Sequence, residues 1–326
     1  MNLNSGYGQL LAMQIAAAVG PNFGQILVVS EDSDNTAVRN MLSEVFTTDS
    51  EGRVRIFKTV AAAYGAAVSN NNDIILLSAH SSHSTAMLTV SKSRVHFLGM
   101  DGGGRKSSQG TKIGTPATSV AASVAVISNT GTRNTYRNIK FIQSGTNTAQ
   151  TSAFIDTGEG THVNNCSFEV NSILTTATQG LLFKGDTCQY EDCQIGNSTV
   201  LHTALNQAPL VIQTPARYSY FINCQMINYS SQTTASCIDA PDADSVIGWI
   251  KFENCSLMSA NLGDGATAGG TMAEGVTSIV TSGYLYFDNR CTSFNAAIFA
   301  EADASILLAA ADGGTATLGG AAVAGA

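Results

Sequence analysis

One short pattern recurs five times, and it restricts the fold more than any other feature of the chain. It runs large residue, any residue, Asn or Asp, small apolar residue, any residue, large residue. The five copies are YRNIKF, VNNCSF, YEDCQI, FINCQM and FENCSL. The third position is Asn138, Asn165, Asp192, Asn223 and Asn254, and the fourth is Ile139, Cys166, Cys193, Cys224 and Cys255. The interval is 27 residues from 139 to 166 and from 166 to 193, then 31 residues from 193 to 224 and from 224 to 255. A near-regular period with room for insertions predicts a coil that carries loops on some of its turns.

The same pattern contains a break in phase. Side chains on one face of a strand lie two residues apart, yet the apolar positions here lie at −3, 0 and +2 around the small residue. One residue has been inserted, and it is always Asn or Asp. Among residues with a Cβ, these best tolerate the left-handed backbone conformation. A single left-handed residue between two strands bends the chain sharply while both flanking side chains still point inward. The spacing therefore predicts a right-handed parallel β-helix, a solenoid that is mainly β. Asn138, Asn165, Asp192, Asn223 and Asn254 form its corner ladder, and Ile139, Cys166, Cys193, Cys224 and Cys255 form an inward core ladder. Stacked asparagines can also pass hydrogen bonds from rung to rung. YLYFDNRCTSF is an imperfect last copy, because Arg290 separates Asn289 from Cys291. SRVHFLG has Val95 and Phe97 in suitable places but Arg94 at the corner.

Composition agrees with a β-rich coil. Charged residues make up 12% of the 326, and Ser, Thr, Asn, Gln and 31 glycines supply the polarity. The net charge is −8 and the lysines and arginines are scattered. Nucleic acid is therefore not an expected partner, since phosphate binding needs clustered cations. A membrane is not expected either, for want of an apolar span or a basic amphipathic helix. The N-terminus has a faintly signal-like LLAMQIAAAV core but no positive n-region, and reads as a mature start. Seven cysteines cannot all pair within one chain, and none forms a C-x-x-C; reduced thiols and no cofactor are expected.

Three regions follow. Residues 1–58 read as a small N-terminal α/β element, with a strand in QILVVS, a helix in NTAVRNMLSEVF and a strand in EGRVRIF. Residues 59–296 read as the coil, opened by a capping helix over 59–68 with Val60, Tyr64 and Val68 on its apolar face. Residues 297–326 read as a low-complexity tail rich in Ala and Gly.

VRIFKTVAAAYGAAVSNNNDIILL, residues 54–77, resembles the opening of pectin-lyase-like right-handed β-helices, in which a helix caps the coil and an apolar strand begins it. The N-C-x-apolar rungs are similar to that superfamily too. The layout of residues 1–105 also resembles virion proteins of marine tailed bacteriophages. It has the Gly-Tyr-Gly start, the strand and helix, the VRIF–helix–DIILL entry and VHFLGMDGG. The rest of the chain shares only the β-helix with them. The resemblance implies a non-enzymatic structural component of a phage virion, most directly a capsid decoration or coat protein. It implies other virion proteins, such as the major capsid protein, as partners, and a homotrimer is expected because lateral packing of low-charge β faces builds rigid shells and spikes. A receptor-binding or polysaccharide-degrading tail spike or fibre is the alternative.

Several residues could carry chemistry on such a scaffold. Isoleucine replaces cysteine in the first copy, which a ligand or nucleophile would not allow, so the cysteines read as packing. Cys188 and Cys237 lie off the corner position, where a thiol can face solvent. The acids open to a glycan-cleaving role are Asp186, Glu191 and Asp192, and Asp239, Asp242 and Asp244 in IDAPDAD. Lys184 and Arg217 are the nearby cations for a lyase, but polygalacturonase-like signatures are missing. DGGGRKS, residues 101–107, lacks the spacing of a phosphate loop. His80 and His83 read as solvated loop histidines. These readings assign no catalytic residue and no metal site.

Overall fold

The computed structural model describes residues 24–30, 55–79, 82–101, 110–115, 124–145, 149–171, 178–204, 208–232, 235–259, 273–278, 280–294, 296–297 and 306–308. The helix expected in 35–46, most of the glycine-rich 101–107 loop and nearly all of the 297–326 tail lie outside them.

Each turn of the chain lays one strand in each of three sheets, and the next turn repeats the order one rung further along. Among the described residues the first sheet has eleven strands and the second and third have eight each. Their pairings are parallel. Tyr136, Val163, Tyr190, Phe221, Phe252 and Phe287 lie in register down the first sheet. Phe141, Phe168, Ile195, Met226 and Leu257 do the same down the second. The chain is a right-handed parallel β-helix, the hand that parallel crossovers adopt.

The corner between the first and second sheets is made by one left-handed residue per turn. Asn138, Asn165, Asp192, Asn223 and Asn254 have φ of 58°, 51°, 52°, 54° and 50°. The Nδ2 of Asn165 donates to the Oδ1 of Asn138 at 2.8 Å, and Asn254 donates to Asn223 at 2.8 Å. After each corner Ile139, Cys166, Cys193, Cys224 and Cys255 turn inward and are buried. The imperfect copy is a remodelled corner. Asp288 Oδ1 accepts the backbone N–H of Asn254 at 3.0 Å, and the coil continues into Thr292–Phe294.

A second left-handed column marks the corner between the third and first sheets. It comprises Arg94, Arg133, Gly160, Thr187 and Tyr218, with φ between 47° and 64°. SRVHFLG belongs here. Arg94 is a corner residue, but it leads into the first-sheet strand Val95–Gly99, so this segment is not another copy of the Asn–Cys corner.

The interior is an aromatic stack. Phe97–Tyr136, Tyr190–Phe221, Phe221–Phe252 and Phe252–Phe287 have near-parallel rings with centroids 5.1, 5.0, 5.1 and 4.5 Å apart. Val163 interrupts the column, and Phe141, Phe154 and Phe168 fill that level from the other two sheets. Such contacts add about 0.5–1.5 kcal/mol per pair beyond the burial of the rings.

At the N-terminal end, Ile26–Val29 lies in the first sheet between Ile56–Phe57 and Asp73–Leu77. The helix Val60–Ala66 covers this end of the core. Thr59 caps it through the N–H of Ala62. Tyr64 lies against Phe97 with ring centroids 6.2 Å apart. Lys92 Nζ donates to the carbonyls of Tyr64, Gly65 and Ala67 at the helix C-terminus, where a cation is favoured. Val68, expected on the apolar face, is 54% exposed because the helix ends two residues earlier.

Candidate functional site

The cysteine ladder is built as a packing device. The thiol of Cys224 donates to the carbonyls of Tyr190 and Ile222 at 3.4 and 3.3 Å, and Cys255 does the same to Phe221 and Glu253 at 3.2 and 3.4 Å. Burial pushes the Cys166 thiol up to about 12 and raises that of Cys224 as well. These thiols stay protonated, and a thiolate is what nucleophilic or metal chemistry requires. Cys188 and Cys237, expected at solvent-facing positions, are buried too. Cys188 sits under the third-to-first corner with its Sγ donating to the Gly158 and Asp186 carbonyls at 3.4 and 3.3 Å. Burial lifts Cys237 to about 12.

The six acids read from the sequence have different surroundings. Asp186 is bound by Arg217, with Nη2 at 2.6 Å and Nε at 2.8 Å from its Oδ2. Glu191 accepts from Asn164 at 3.1 Å, lies 3.4 Å from His162 Nε2 and also accepts from Gln189. Asp192 is the exposed corner residue of its rung. Asp239 lies on the third-sheet strand Ser236–Ala240, and Asp242 and Asp244 are exposed in the turn after it. His83 is not a solvated loop residue: it sits on the strand Ser82–Ser84 and is buried, in register with Ile113. His80 lies outside the described residues. No group of three or more His, Cys, Asp or Glu among the described residues is arranged to hold a metal ion.

Three features escaped the sequence reading. The first is a carboxyl group inside the coil. Asp156 is fully buried and its Oδ2 accepts from Tyr190 Oη at 2.7 Å. Its Oδ1 accepts from Asn129 Nδ2, the Gly158 N–H and Thr161 Oγ1 at 2.8, 3.0 and 3.2 Å. Asn129 Oδ1 in turn accepts from Asn134 and Tyr136, so successive rungs share one polar network. Burial raises the Asp156 pKa against the pull of these donors. Period-two counting from the buried Phe154 puts Asp156 inside, and that is the signal by which it could have been found.

The second is a cleft at the second-to-third corner, with about 220 Å³ of free space that includes open solvent, lined by Gly196, His202, Pro209 and Asn228 among others. The Asn228 side chain is buried, and neither its oxygen nor its nitrogen has a partner. Burial lowers His202 to about 4, so its imidazole is neutral at physiological pH. A water molecule with two to four polar neighbours fits such a site.

The third is an aromatic face on the outside of the first sheet. Tyr218, Tyr220, Trp249, Tyr284 and Tyr286 occupy three successive rungs. Tyr220, Lys251 and Tyr286 are in register, as are Trp249 and Tyr284. These rings alternate with the buried ring stack along the same strands.

Three parallel sheets and a stacked left-handed corner define a parallel β-helix. Solved structures similar to the chain include pectin methylesterase PemA from Erwinia chrysanthemi, at 14% identity and TM-score 0.47, covering 85% of this chain and 91% of that one. Pectate lyase Pel9A matches at 11% identity and TM-score 0.44, covering 86% of this chain and 79% of that one. ORF18 of Geobacillus virus E2 matches at 12% identity and TM-score 0.45, covering 80% of this chain and 57% of that one. No protein-family model matches the sequence, and no curated protein matches it. The expectation of a non-enzymatic chain is corrected here. The similar structures include pectin methylesterase and pectate lyase, which are enzymes. A β-helix is a scaffold on which sites of different chemistry are built, so missing polygalacturonase-like signatures do not establish lack of activity. At these identities the likeness concerns the fold and carries no substrate to this chain.

Proposed function

We propose that the chain is a structural component of a phage virion, serving as a capsid decoration or coat protein. The observation that carries this reading is the stacked core. Stacked rings run from Tyr64 at the helix-covered end to Phe287, and corner asparagines pass hydrogen bonds between rungs further along. Such a coil has parallel hydrogen bonding along its axis and resists local opening, which is the property a shell component needs. The layout of residues 1–105, similar to virion proteins of tailed phages, supports the same reading. The expected partners are further copies of the chain, in a homotrimer, and the major capsid protein.

Imaging of intact particles with the chain located in density tests this. A copy number on the order of hundreds, as shell symmetry generates, places it on the head. Roughly a dozen copies would place it on the tail and overturn the decoration reading. Release of reducing ends from host polysaccharide by the purified chain would identify a tail spike instead.

A further inference from the structure

We propose that the aromatic face of the first sheet is the surface through which copies of this chain associate. The inference rests on the reading of the chain as an assembly component and names the surface involved.

The face has the anatomy of a protein interface. Tyr218 is 43% exposed and Tyr284 50%, while Tyr220, Trp249 and Tyr286 are half-buried between them. Tyr, Trp and Arg are the residue types that carry most binding energy at interfaces. A charged rim borders the rings on both sides. Arg217 is paired with Asp186 at the third-to-first corner. At the first-to-second corner Arg290 reaches Asp288 at 2.6 Å and Glu253 at 3.5 Å, and Lys251 reaches Glu253 at 2.9 Å. A central apolar cluster inside a polar rim is how such surfaces are organised.

The rings are held in place before any partner arrives. Trp249 meets Tyr218 and Tyr220 edge to face, at 5.8 and 4.9 Å between centroids and 65° and 71° between planes. Tyr218 has φ of 47°, an uncommon conformation for an aromatic residue. Its ring lies over Gly248, where a Cβ would come 2.5 Å from a ring carbon. Side chains already ordered lose less freedom on association.

Two observations choose the occupant. The first is charge. The chain carries −8, so copies repel one another over most of their surface. On this face the cations Arg217, Lys251 and Arg290 are paired with Asp186, Glu253 and Asp288, and the further carboxylates Glu191, Asp242 and Asp244 lie beside them. A rim that carries both signs can set its cations against carboxylates of a second copy, which offsets part of the general repulsion there. The second is ring geometry. A flat ligand that stacks, such as a sugar, needs open ring faces lying side by side. Here the neighbouring rings are tilted and Lys251 Nζ sits 5.4 Å from the centroid of Tyr286, over its face. The exposed ring area is at most roughly 400 Å², taking about 200 Å² for a whole aromatic side chain. That is about half of the ~800 Å² per partner in a stable interface, and the rim supplies the remainder.

Trp249 is the one tryptophan in the chain and stands at the centre of the face, so its emission reports on occupancy directly. The experiment measures native mass and Trp249 fluorescence of the full chain over a dilution series. Wild type is expected to be oligomeric at micromolar concentration, with emission that shifts to the red on dilution. Tyr218→Lys with Tyr284→Lys should raise the dissociation constant about tenfold or more. Tyr284→Ser, which removes a ring without adding charge, should shift it in the same direction. Val68→Lys, at an exposed position outside the face, should leave it unchanged. A wild-type monomer throughout the series overturns the proposal, as does an oligomer that both tyrosine variants leave intact. An oligomer through this face that is absent from virions would instead keep this inference and overturn the virion reading.

Discussion

Cys224 and Asp156 show how differently two buried polar residues bear on stability. The Cys224 thiol fills a small inward site and donates to the carbonyls of Tyr190 and Ile222. Its role is volume, so Cys224→Val should remain folded with a stability change within about 1.5 kcal/mol. Denaturant midpoints check this, and a variant that cannot fold would refute the packing account. Asp156 is expected to make stability depend on pH. Its folded-state pKa is raised by burial above the ordinary carboxylate value of about 4. Between those two values the folded chain holds a proton that the unfolded chain has released. The contribution is therefore fully present below the unfolded value and is lost as pH rises through the folded one. Asp156→Asn keeps a group that can donate to Tyr190 Oη and an oxygen for the Asn129, Gly158 and Thr161 donors. That variant should be more stable than wild type at neutral pH, and the difference should shrink as pH falls toward about 4. Urea midpoints across this range measure it, and parallel curves for the two proteins would exclude the effect.

Short strands have little stability alone, so each element here depends on the rung above and below. Phe221 illustrates this. It belongs to Ser219–Ile222, yet its ring is stacked between Tyr190 and Phe252 on adjacent rungs and also meets Phe183 of the third sheet. Phe221→Ala should cost about 3–5 kcal/mol, because the cavity opens between layers that hydrogen bonding holds at fixed spacing. Chemical denaturation gives the value, and a cost under about 1 kcal/mol would mean that the stack contributes little beyond filling space. The first-to-second corner was legible because its residue type repeats, always Asn or Asp. The third-to-first corner uses the same backbone conformation with Arg94, Arg133, Gly160, Thr187 and Tyr218. Arginine appears twice and the other three residues differ, so no single residue type marks this corner in the sequence. At Tyr218 the ring packs over Gly248, where a side chain would have no room.

At the scale of the whole molecule the coil behaves as a one-dimensional stack, in which each rung contacts its neighbours. Rungs in the middle have two neighbours, and opening them breaks two layers of contacts. Amide hydrogen exchange should therefore be slowest in His162–Asn164, Gln189–Glu191 and Ser219–Ile222, and faster in Ile56–Phe57 at the edge of the first sheet. Uniform protection along the axis would show a single cooperative unit instead. The order of letters was enough to specify the period, the inward ladder and the Asn corner, and through them the fold class. Those features are local: a two-residue alternation with one left-handed insertion is visible in six consecutive residues. Which outward-facing residues meet was settled only when the coil closed. Tyr220 and Trp249 are 29 positions apart (249 − 220), and Trp249 and Tyr286 are 37 apart (286 − 249). The register pairs Tyr220 with Lys251, 31 residues on (251 − 220), and Trp249 with Tyr284, 35 residues on (284 − 249), so each ring lies two residues away from its neighbour's register partner and a longer loop separates the last two rungs. Parallel hydrogen bonding between strands sets the register, and that register brings the three rings onto one face.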